Sequence, residues 1–330
     1  MPGRHARQPQ RATTRHAPGP RPVVMVTGAG GTLAQSVIRR LRRECDVVAV
    51  DFRHRPELGP GVTGYKVDFN KREFEDIFRR HQPQAVIHLG RIAAWQAGRA
   101  SRYAANVRGS QRLFDLCARH GVGHVVVMST FHVYGAHPYN PALLEEDAPL
   151  KASEIHADLV DSVELENLAA IYLWKHPELH MTVLRPCNIL GPGVNNTMSR
   201  LLSGRRAPWL IGFSPVMQFI HVEDMADAVY LAWRGRKAGV YNVAPDDWVA
   251  YDRALELCGC RPLPIPSVPA GAPQAISRWL GWKSFPLYLV NYFKYPVVID
   301  GGRFRRTFGF EPRYSLAEIF SHYREAKDRA

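Results

Sequence analysis

A turn of small residues follows the first apolar run of the sequence. The run ends at Thr27, and three glycines come within the next four positions. The first glycine permits a tight turn, a later one lets the backbone approach a ligand, and the N-terminus of the following helix attracts an anion. The pattern predicts a site for the pyrophosphate of a dinucleotide. The residues expected to contact the dinucleotide here are Gly28, Gly30, Gly31, Thr32 and Leu33.

A carboxylate follows the turn by about 20 residues, the spacing at which a dinucleotide site places its ribose-binding acid. Asp51 ends the second apolar run and is expected to accept hydrogen bonds from the hydroxyls of the adenosine ribose. Because a carboxylate there repels a 2′-phosphate, the sequence favours NAD over NADP. Arg53 and Arg55 weaken this preference without reversing it.

Alternating strands and helices must hold these residues in place. This order of elements predicts an α/β fold with a doubly wound (Rossmann) parallel sheet and a smaller C-terminal substrate lobe. The predicted strands are Val23–Thr27, Asp46–Asp51, Gly64–Val67, Ala85–Leu89, Val125–Ser129 and Met181–Arg185. The predicted helices are Leu33–Arg43, Arg72–Arg80, Tyr103–Arg119 and Asp161–Trp174.

Changes in composition divide the chain into three parts. Residues 1–21 are rich in Arg, Pro and Gly without any acid, which predicts a flexible basic arm. Residues 22–186 are expected to form the NAD-binding domain. Residues 187–330 contain glycine turns and a run dense in Pro and aromatics, so we expect mainly a substrate-binding lobe, with late strands and helices returning to the core.

The formal net charge of the 330-residue chain is +13. Part of this charge lies on the arm and the rest is spread along the fold, which is typical of a solvated surface; an anionic ligand or a membrane surface is the alternative. No nucleic-acid-binding motif accompanies the charge, so specific nucleic-acid binding is not expected. The sequence has no secretory signal and no apolar stretch of the ~20 residues that span a membrane. We therefore expect a cytoplasmic protein.

The cysteines favour neither a disulfide framework nor a metal site. There are 5 of them, an odd and scattered set, which fits a reducing compartment. Cys258 and Cys260 form a CxC pair that has no second pair of ligands within sequence reach. Since a structural metal needs about four such ligands, we expect no metal.

Further segments carry a family resemblance over nearly all of the chain after the arm. They are Thr27-Gly28-x-x-Gly31-x-x-Ala34, Val67-Asp68-Phe69, Val86-Ile87-His88-Leu89-Gly90, Asn106-Val107-x-Gly109, Met128-Ser129-Thr130-Phe131-His132-Val133-Tyr134-Gly135, Leu184–Gly193 and Phe219–Asp224. In this order they resemble the motifs of the extended short-chain dehydrogenase/reductases, the NAD-dependent epimerases and dehydratases. The resemblance implies that Asp68, Leu89, Gly90 and Asn106 serve the cofactor and that Thr130 binds the reacting oxygen of the substrate.

The chain departs from this family at the catalytic helix. The resemblance implies a tyrosine as general acid/base and a lysine four residues later, on one face of a helix. In the aligned register Asp158 occupies the tyrosine position and Ser162 the lysine position, and a register that starts at His156 meets Val160 instead. The chain is thus an atypical member. The one YxxxK pattern, Tyr323 to Lys327, is interpreted as a coincidence on a solvated terminal helix.

The later motifs bear on the substrate. Asn188 and the segment Asn195–Met198 are similar to substrate-contacting residues of UDP-glucose 4-epimerases, so Asn188 and Asn196 are predicted to bind a small molecule, a nucleotide-sugar. An arginine that pairs with the diphosphate in those enzymes aligns with Met217; Arg200, Arg205 and Arg303 are the candidates to replace it. An aromatic, basic segment, 279–295, is interpreted as an apolar pocket, a membrane contact or ordinary packing.

Three functions remain open. The first is an NAD-dependent epimerase, dehydratase or oxidoreductase acting on a nucleotide-sugar or a similar hydroxylated substrate, with His156, Asp158 or Tyr139 as the acid or with a step that needs no tyrosine. The second is a noncatalytic NAD-binding sensor or scaffold. The third is an oxidoreductase of a bulky apolar alcohol. The resemblance also implies a homodimer built from paired long helices.

Overall fold

The computed structural model describes residues 21–56, 59–93, 95–266 and 288–328. The basic arm up to residue 20 lies outside the described residues, as do Trp279, Trp282, Lys283 and Phe285 of the aromatic segment. Arg21, assigned to the arm from its composition, belongs to the fold, because its guanidinium donates to the backbone carbonyls of Arg42 at 2.6 Å and Cys45 at 2.9 Å. No helix within the described ranges is both long and apolar enough to cross a membrane.

Seven parallel strands form the central sheet, in the order β11-β6-β5-β4-β1-β2-β3. The strands in chain order are β1 Val23–Thr27, β2 Asp46–Asp51, β3 Val62–Lys66, β4 Ala85–His88, β5 His124–Met128, β6 His180–Pro186, β7 Asn188–Leu190, β8 Arg206–Leu210, β9 Val216–Met217, β10 Phe219–His221, β11 Gly239–Val243, β12 Val249–Ala250 and β13 Arg261–Ile265. The order reverses between β1 and β4, which is where doubly wound sheets bind their ligands.

Helices cover both faces of the sheet. They are α1 Thr32–Leu41, α2 Arg72–His81, α3 Arg99–Tyr103, α4 Gly109–Arg119, α5 Ala152–Ile155, α6 Val160–Lys175, α7 Thr197–Ser203, α8 Val222–Gly235, α9 Tyr251–Leu257, α10 Leu289–Tyr292, α11 Gly302–Phe308 and α12 Leu316–Asp328. Successive side chains of a strand point to opposite faces, so Val24 and Val26 pack into one apolar layer and Met25 into the other. The continuous apolar runs reflect burial on both faces.

The predicted fold class is confirmed. The errors in the predicted helices and strands are local. The predicted helix from Tyr103 starts earlier, at Arg99, and contains a π-helical segment, Ala104–Arg108, which the regular helical spacing does not indicate. The seventh strand, β11, was not predicted; it is short, carries the polar Asn242, and pairs with β6. The division at residue 186 stays a prediction.

The sequence predicts that the terminal YxxxK pattern lies on a solvated helix. This prediction is wrong, because the pattern packs against the rest of the protein. Tyr323 is buried and its hydroxyl donates to the backbone carbonyl of Ser199. The ammonium group of Lys327 donates to the backbone carbonyls of Leu202 and Gly204, at 3.2 Å and 3.0 Å. These contacts fasten α12 to α7 and β8, so the pattern has a structural role.

A buried histidine joins the two strands at the reversal point of the sheet. His88 accepts or donates through Nδ1 to the Thr27 hydroxyl at 2.7 Å and through Nε2 to the Ser110 hydroxyl at 2.9 Å. It is 2% exposed, and burial lowers the pKa of its imidazole to about 4. The neutral ring therefore links β1, β4 and α4.

This burial predicts a pH-dependent stability. The unfolded chain protonates His88 near a pKa of about 6.5, whereas the folded protein does so only near about 4. The free energy of unfolding should therefore fall as the pH drops through that window, by up to roughly 3 kcal/mol from this residue. Urea unfolding at several pH values, for the wild type and His88→Gln, measures the difference. His54→Gln, at an exposed site, is the control; equal pH slopes in the wild type and His88→Gln would contradict the prediction.

Candidate functional site

The turn after β1 lies against the residues after β4. Gly28 has a φ of +70°, and a Cβ built on it would lie 2.4 Å from the Gly90 Cα. No side chain fits there, since both the backbone conformation and the space require glycine. The N–H of Gly31 donates to the Gly28 carbonyl at 3.0 Å, which closes the turn at the N-terminus of α1. The backbone thus forms an open cradle at a helix N-terminus, which fits the pyrophosphate of a dinucleotide.

The carboxylate of Asp51 is fixed beside this turn. It accepts from the Gly30 N–H at 2.9 Å through Oδ2 and from the Arg53 N–H at 2.8 Å through Oδ1. A Cβ on residue 30 would lie 3.0 Å from Oδ2, so glycine also lets the carboxylate approach. Asp51 therefore stands at the end of β2 next to the turn, as the sequence predicts for a ribose-binding acid.

Other predicted cofactor residues have protein partners. The Thr32 hydroxyl donates to the Gly193 carbonyl at 2.6 Å, and Asp68 accepts from the Asn70 N–H at 2.9 Å. Leu33 lies in the first turn of α1, and Leu89 follows β4, with its N–H bonded to the Thr27 carbonyl at 3.2 Å. These bonds hold the rim of the cradle in place.

Asn106 is a positioning residue rather than a free ligand contact. It lies in the π-helical segment and is 2% exposed. Its Nδ2 group donates to the Ile92 carbonyl at 2.9 Å and to Asp161 at 2.6 Å, and its Oδ1 accepts from the Ile92 N–H at 2.8 Å. Because both amide hydrogens are engaged by the protein, Asn106 has no donor left for a cofactor. It fixes instead the loop after β4 against α6.

A cavity of about 270 Å³ lies beside the cradle. The loop after β4 connects them, because Gly90 contacts the turn while Arg91, Ile92 and Ala93 line the cavity. The predicted residues Thr130, Asp158, Asn188 and Asn196 also line it, so four side chains distant in sequence come together. The remaining lining residues are Gln96, Arg102, His132, Leu159, Asn195, Thr197, Met198, Tyr288 and Leu289.

Thr130 is bonded to a buried imidazole. Its hydroxyl lies 2.8 Å from Nδ1 of His132, and the Tyr292 hydroxyl holds the His132 carbonyl at 2.7 Å. Burial, reinforced by the charge of Arg91, lowers the pKa of His132 to about 3. The ring is therefore neutral near pH 7 and orients the Thr130 hydroxyl without carrying a charge.

A buried ion pair anchors the segment that carries Thr130. Arg185 on β6 makes two hydrogen bonds of 3.0 Å to Glu166 on α6, and also donates to the Tyr134 hydroxyl at 2.8 Å. Tyr134 closes the 3-10 turn Phe131–Tyr134 that follows Thr130. A bidentate contact of this kind restricts both partners, so the turn is held against β6 and α6.

Asp158 has two arginine partners. Its carboxylate accepts from Arg99 at 2.8 Å and from Arg102 at 3.0 Å. Its backbone N–H donates to Nδ1 of His156 at 3.1 Å, so the histidine caps the turn that leads into α6. His156 is not among the residues that line the cavity. Tyr139 is 84% exposed and does not line it either, which removes it from the candidate acids.

Arg91 is a site residue that the sequence did not indicate. Its guanidinium donates to the hydroxyl of Ser162 on α6, the residue that the sequence predicts at the lysine position. In the described part of the chain, no carboxylate pairs with Arg91. A positive charge from the loop after β4 thus reaches Ser162 on α6.

The two predicted substrate asparagines make bonds within the protein. Asn188 donates to the Gln218 carbonyl at 3.0 Å, and no group in the described ranges donates to its Oδ1. Asn196 caps α7, with Oδ1 accepting from the Ser199 N–H at 2.8 Å and Nδ2 donating to the Ile189 carbonyl at 2.7 Å. Asn196 therefore shapes the cavity wall more than it offers free polar groups.

The arginines proposed to replace the one lost at Met217 differ in placement. Arg200 lies over the Trp95 ring at 4.1 Å, next to cavity-lining residues on both segments. Arg303 lies over Tyr241 at 5.3 Å, and Arg205 is exposed. Met217 is buried. Of the three, Arg200 is next to the cavity wall.

Tyr288 is a second site residue without a sequence signal of its own. It comes just before α10, is 6% exposed and lines the cavity. Its ring lies 5.7 Å from that of His132 in an edge contact, and its hydroxyl is hydrogen-bonded to the Thr197 side chain. The aromatic segment around it was noted in the sequence, but nothing in its composition separates a cavity residue from core packing. Among the described residues, no group of His, Cys, Asp and Glu is arranged to hold a metal ion.

Known proteins resemble this chain over most of its length. The model of the NAD dependent epimerase/dehydratase family matches residues 24–244. A dTDP-glucose 4,6-dehydratase of Streptomyces griseus is 31% identical over 245 residues, 67% of this chain and 72% of that protein. An uncharacterized protein of Mycobacterium tuberculosis (strain ATCC 25618 / H37Rv) is 27% identical over 312 residues, 91% of this chain and 83% of that protein.

A solved structure shares the fold. It is MoeE5 in complex with UDP-glucuronic acid and NAD, with a TM-score of 0.74 and 24% sequence identity over 93% of this chain and 99% of that chain. At this level of identity the likeness concerns the arrangement of the sheet and helices.

The cradle predicts a specific effect of one methyl group. Gly28→Ala should weaken NAD binding by at least ~10-fold, because the Cβ displaces the turn from Gly90, and a tenfold loss is about 1.4 kcal/mol. Gly61→Ala is the matched control: Gly61 has a similar φ of +79° but open space around it. Calorimetric titration with NAD checks both variants. Equal affinities of Gly28→Ala and Gly61→Ala would show that the contact does not matter.

Proposed function

Because the chain belongs to the NAD dependent epimerase/dehydratase family, we propose that it is an NAD-dependent enzyme acting at a carbinol carbon of a nucleotide-sugar or a similar hydroxylated substrate. NAD is the cofactor of this family, as the sequence predicted. The single observation that carries the proposal is the loop after β4: Gly90 contacts the phosphate turn, and Arg91 to Ala93 line the cavity that holds Thr130.

The cofactor residues follow from the cradle. The backbone of Gly28, Gly30 and Gly31 with the N-terminus of α1 would hold the two phosphates, and Asp51 would accept the adenosine ribose hydroxyls. The fit is supported by Gly31, where an added Cβ would meet only the Gly28 carbonyl oxygen, at 3.4 Å, so the backbone at the N-terminus of α1 is accessible. When bound, NAD supplies a hydride acceptor or donor.

The protein's part in the reaction is to bind and orient the substrate oxygen. The Thr130 hydroxyl, whose position is set by His132 at 2.8 Å, would hydrogen-bond the reacting oxygen. Arg91 carries a charge without a carboxylate partner in the described residues, and it would stabilise negative charge that develops on that oxygen. Asn188 offers its Oδ1 to a substrate hydroxyl.

A nucleotide-sugar suits the walls of this cavity. The polar lining residues provide several hydrogen-bonding groups for sugar hydroxyls, and Arg200 on the adjacent helix could pair with a diphosphate. The dehydratase of Streptomyces griseus carries dTDP-glucose in its name, and MoeE5 was solved with UDP-glucuronic acid. Both support a sugar nucleotide as the substrate class.

A noncatalytic NAD-binding protein is the second candidate. The observation that favours it is Asp158, whose carboxylate is engaged by two guanidinium groups of the protein through Oδ1. It requires that the cradle binds NAD while no substrate is turned over.

A substrate panel separates the two candidates. The purified protein is incubated with NAD and a series of UDP- and dTDP-sugars, and the products are resolved by chromatography. Conversion of at least one sugar is expected. NAD binding without conversion of any sugar would favour the noncatalytic protein.

Thr130 provides the matched variants. Thr130→Ala should lower kcat by about 10²- to 10³-fold, as the loss of one preorganised donor to a developing oxyanion does. Thr130→Ser keeps the hydroxyl and should retain most of the rate. Steady-state kinetics on the sugar found in the panel measure both, and equal rates for Thr130→Ala and the wild type would exclude the proposed role.

A further inference from the structure

We propose that Tyr288 is the proton-transfer residue of this cavity, exchanging a proton with the substrate oxygen that Thr130 binds. The inference rests on the proposed function and deepens it, since it names the acid/base group that the sequence does not provide on α6. It comes from four observations on the described residues: the position of the phenol, the engagement of the other acids, the surrounding charges and the hydrogen bond to Thr197.

The position of Tyr288 brings its phenol to the wall that carries Thr130. Both residues line the same cavity, and the Tyr288 ring packs edge-on against His132 at 5.7 Å between ring centroids. His132 is the residue whose Nδ1 contacts the Thr130 hydroxyl. The centroid of the His156 ring lies 6.2 Å from that of Tyr288. Tyr288 therefore reaches the cavity from the C-terminal part of the chain, far beyond α6 in the sequence.

The other candidate acids are engaged elsewhere. The Asp158 carboxylate accepts from both Arg99 and Arg102 through Oδ1, so that oxygen is held in a double ion pair with the protein. His132 is already bonded to Thr130 and has its pKa lowered to about 3 by burial, so it has no proton to give near pH 7. His156 uses Nδ1 to cap the next turn and does not line the cavity.

Positive charges face the phenol of Tyr288. Burial raises the pKa of Tyr288 above its ordinary value, and the Thr197 hydrogen bond and the positive charges of Arg91 and Arg102 oppose this rise without cancelling it. Asp158 adds a smaller effect that raises it. The groups that face the phenol are Arg91, Arg102, Asp158, Thr197, His132, His156 and Tyr292.

The proton balance of the step is simple. In the oxidising direction the O–H and C–H bonds of a carbinol carbon would break and a C=O bond would form; Tyr288, as the phenolate, would take the proton, and NAD⁺ held at the cradle would supply the acceptor for the hydride. In the reducing direction the phenol returns the proton to the oxygen. Thr130 stays hydrogen-bonded to that oxygen throughout, and Arg91 stabilises the phenolate.

The test compares two tyrosine substitutions in the full chain with NAD bound. Tyr288→Phe should lower kcat by about 10²- to 10⁴-fold, the usual contribution of a general acid or base, while KM and the affinity for NAD stay close to those of the wild type. Tyr139→Phe is the matched control, because that phenol is 84% exposed and outside the cavity. Thermal unfolding verifies that both variants are folded.

A second replacement gives a readout that a structural role would not move. Incorporation of 3-fluorotyrosine at position 288 keeps the ring and its contacts but makes the phenol more acidic. The limb of the kcat/KM against pH profile that reports this group should shift to lower pH. The same replacement at position 139 should leave the profile unchanged.

The outcomes separate this inference from the proposed function. If the wild type converts a sugar and Tyr288→Phe or the 3-fluorotyrosine protein behaves like it in rate and pH profile, the inference is overturned and the proposed function stands. If the wild type binds NAD and converts no sugar of the panel, the proposed function is overturned and the inference with it. A lost rate in Tyr288→Phe with a shifted pH limb in the fluorinated protein supports both.

Discussion

The close approach of Gly28 to Gly90 is the contact on which the site depends. A Cβ on Gly28 would lie 2.4 Å from the Gly90 Cα and 2.5 Å from its nitrogen, and one on Gly90 would lie 3.2 Å from the Gly28 nitrogen. Two backbones can touch in this way only where neither carries a side chain. Because β1 and β4 are neighbours at the reversal of the sheet, this contact fixes how far the turn stands from the loop that enters the cavity.

Much of the sheet was predictable because its strands obey one simple rule. Residues buried on both faces give continuous apolar runs, and β1 and β2 were placed with their observed ends for that reason. The strand β11 follows no such rule, since Gly239 and the polar Asn242 interrupt its apolar character. The π-helical segment was hidden for a different reason: an extra residue in a turn changes hydrogen bonding without changing which residues are apolar.

The site was predictable where its residues are local in sequence and not where they converge. Asp51 and the glycine turn belong to one strand-turn-helix-strand unit, so their spacing fixes their geometry. Arg91 contacts Ser162 across 71 residues, and Tyr288 joins Thr130 from the far end of the chain. Spacing in the sequence cannot indicate these contacts, because the distance between the two residues of each pair depends on how β4, α6 and α10 pack. The motif indicates Asn106, but only the structure shows that Asn106 supports the backbone of Ile92.

The two arginines that line the cavity differ in their partners. Arg102 is 4% exposed, and its guanidinium lies 3.0 Å from the Asp158 carboxylate and 3.8 Å from that of Asp161. The charges of these two acids, around the start of α6, are therefore compensated by Arg102. Arg91 has no such partner among the described carboxylates and remains positive at the Ser162 hydroxyl. Electrostatic stabilisation depends on where a charge stands relative to a developing oxyanion, in surroundings that exclude water, and not on the element that carries it. Ser162, which the sequence predicts at the family's lysine position, therefore has a cation beside it, and this positive charge suits an oxyanion or an anionic substrate group.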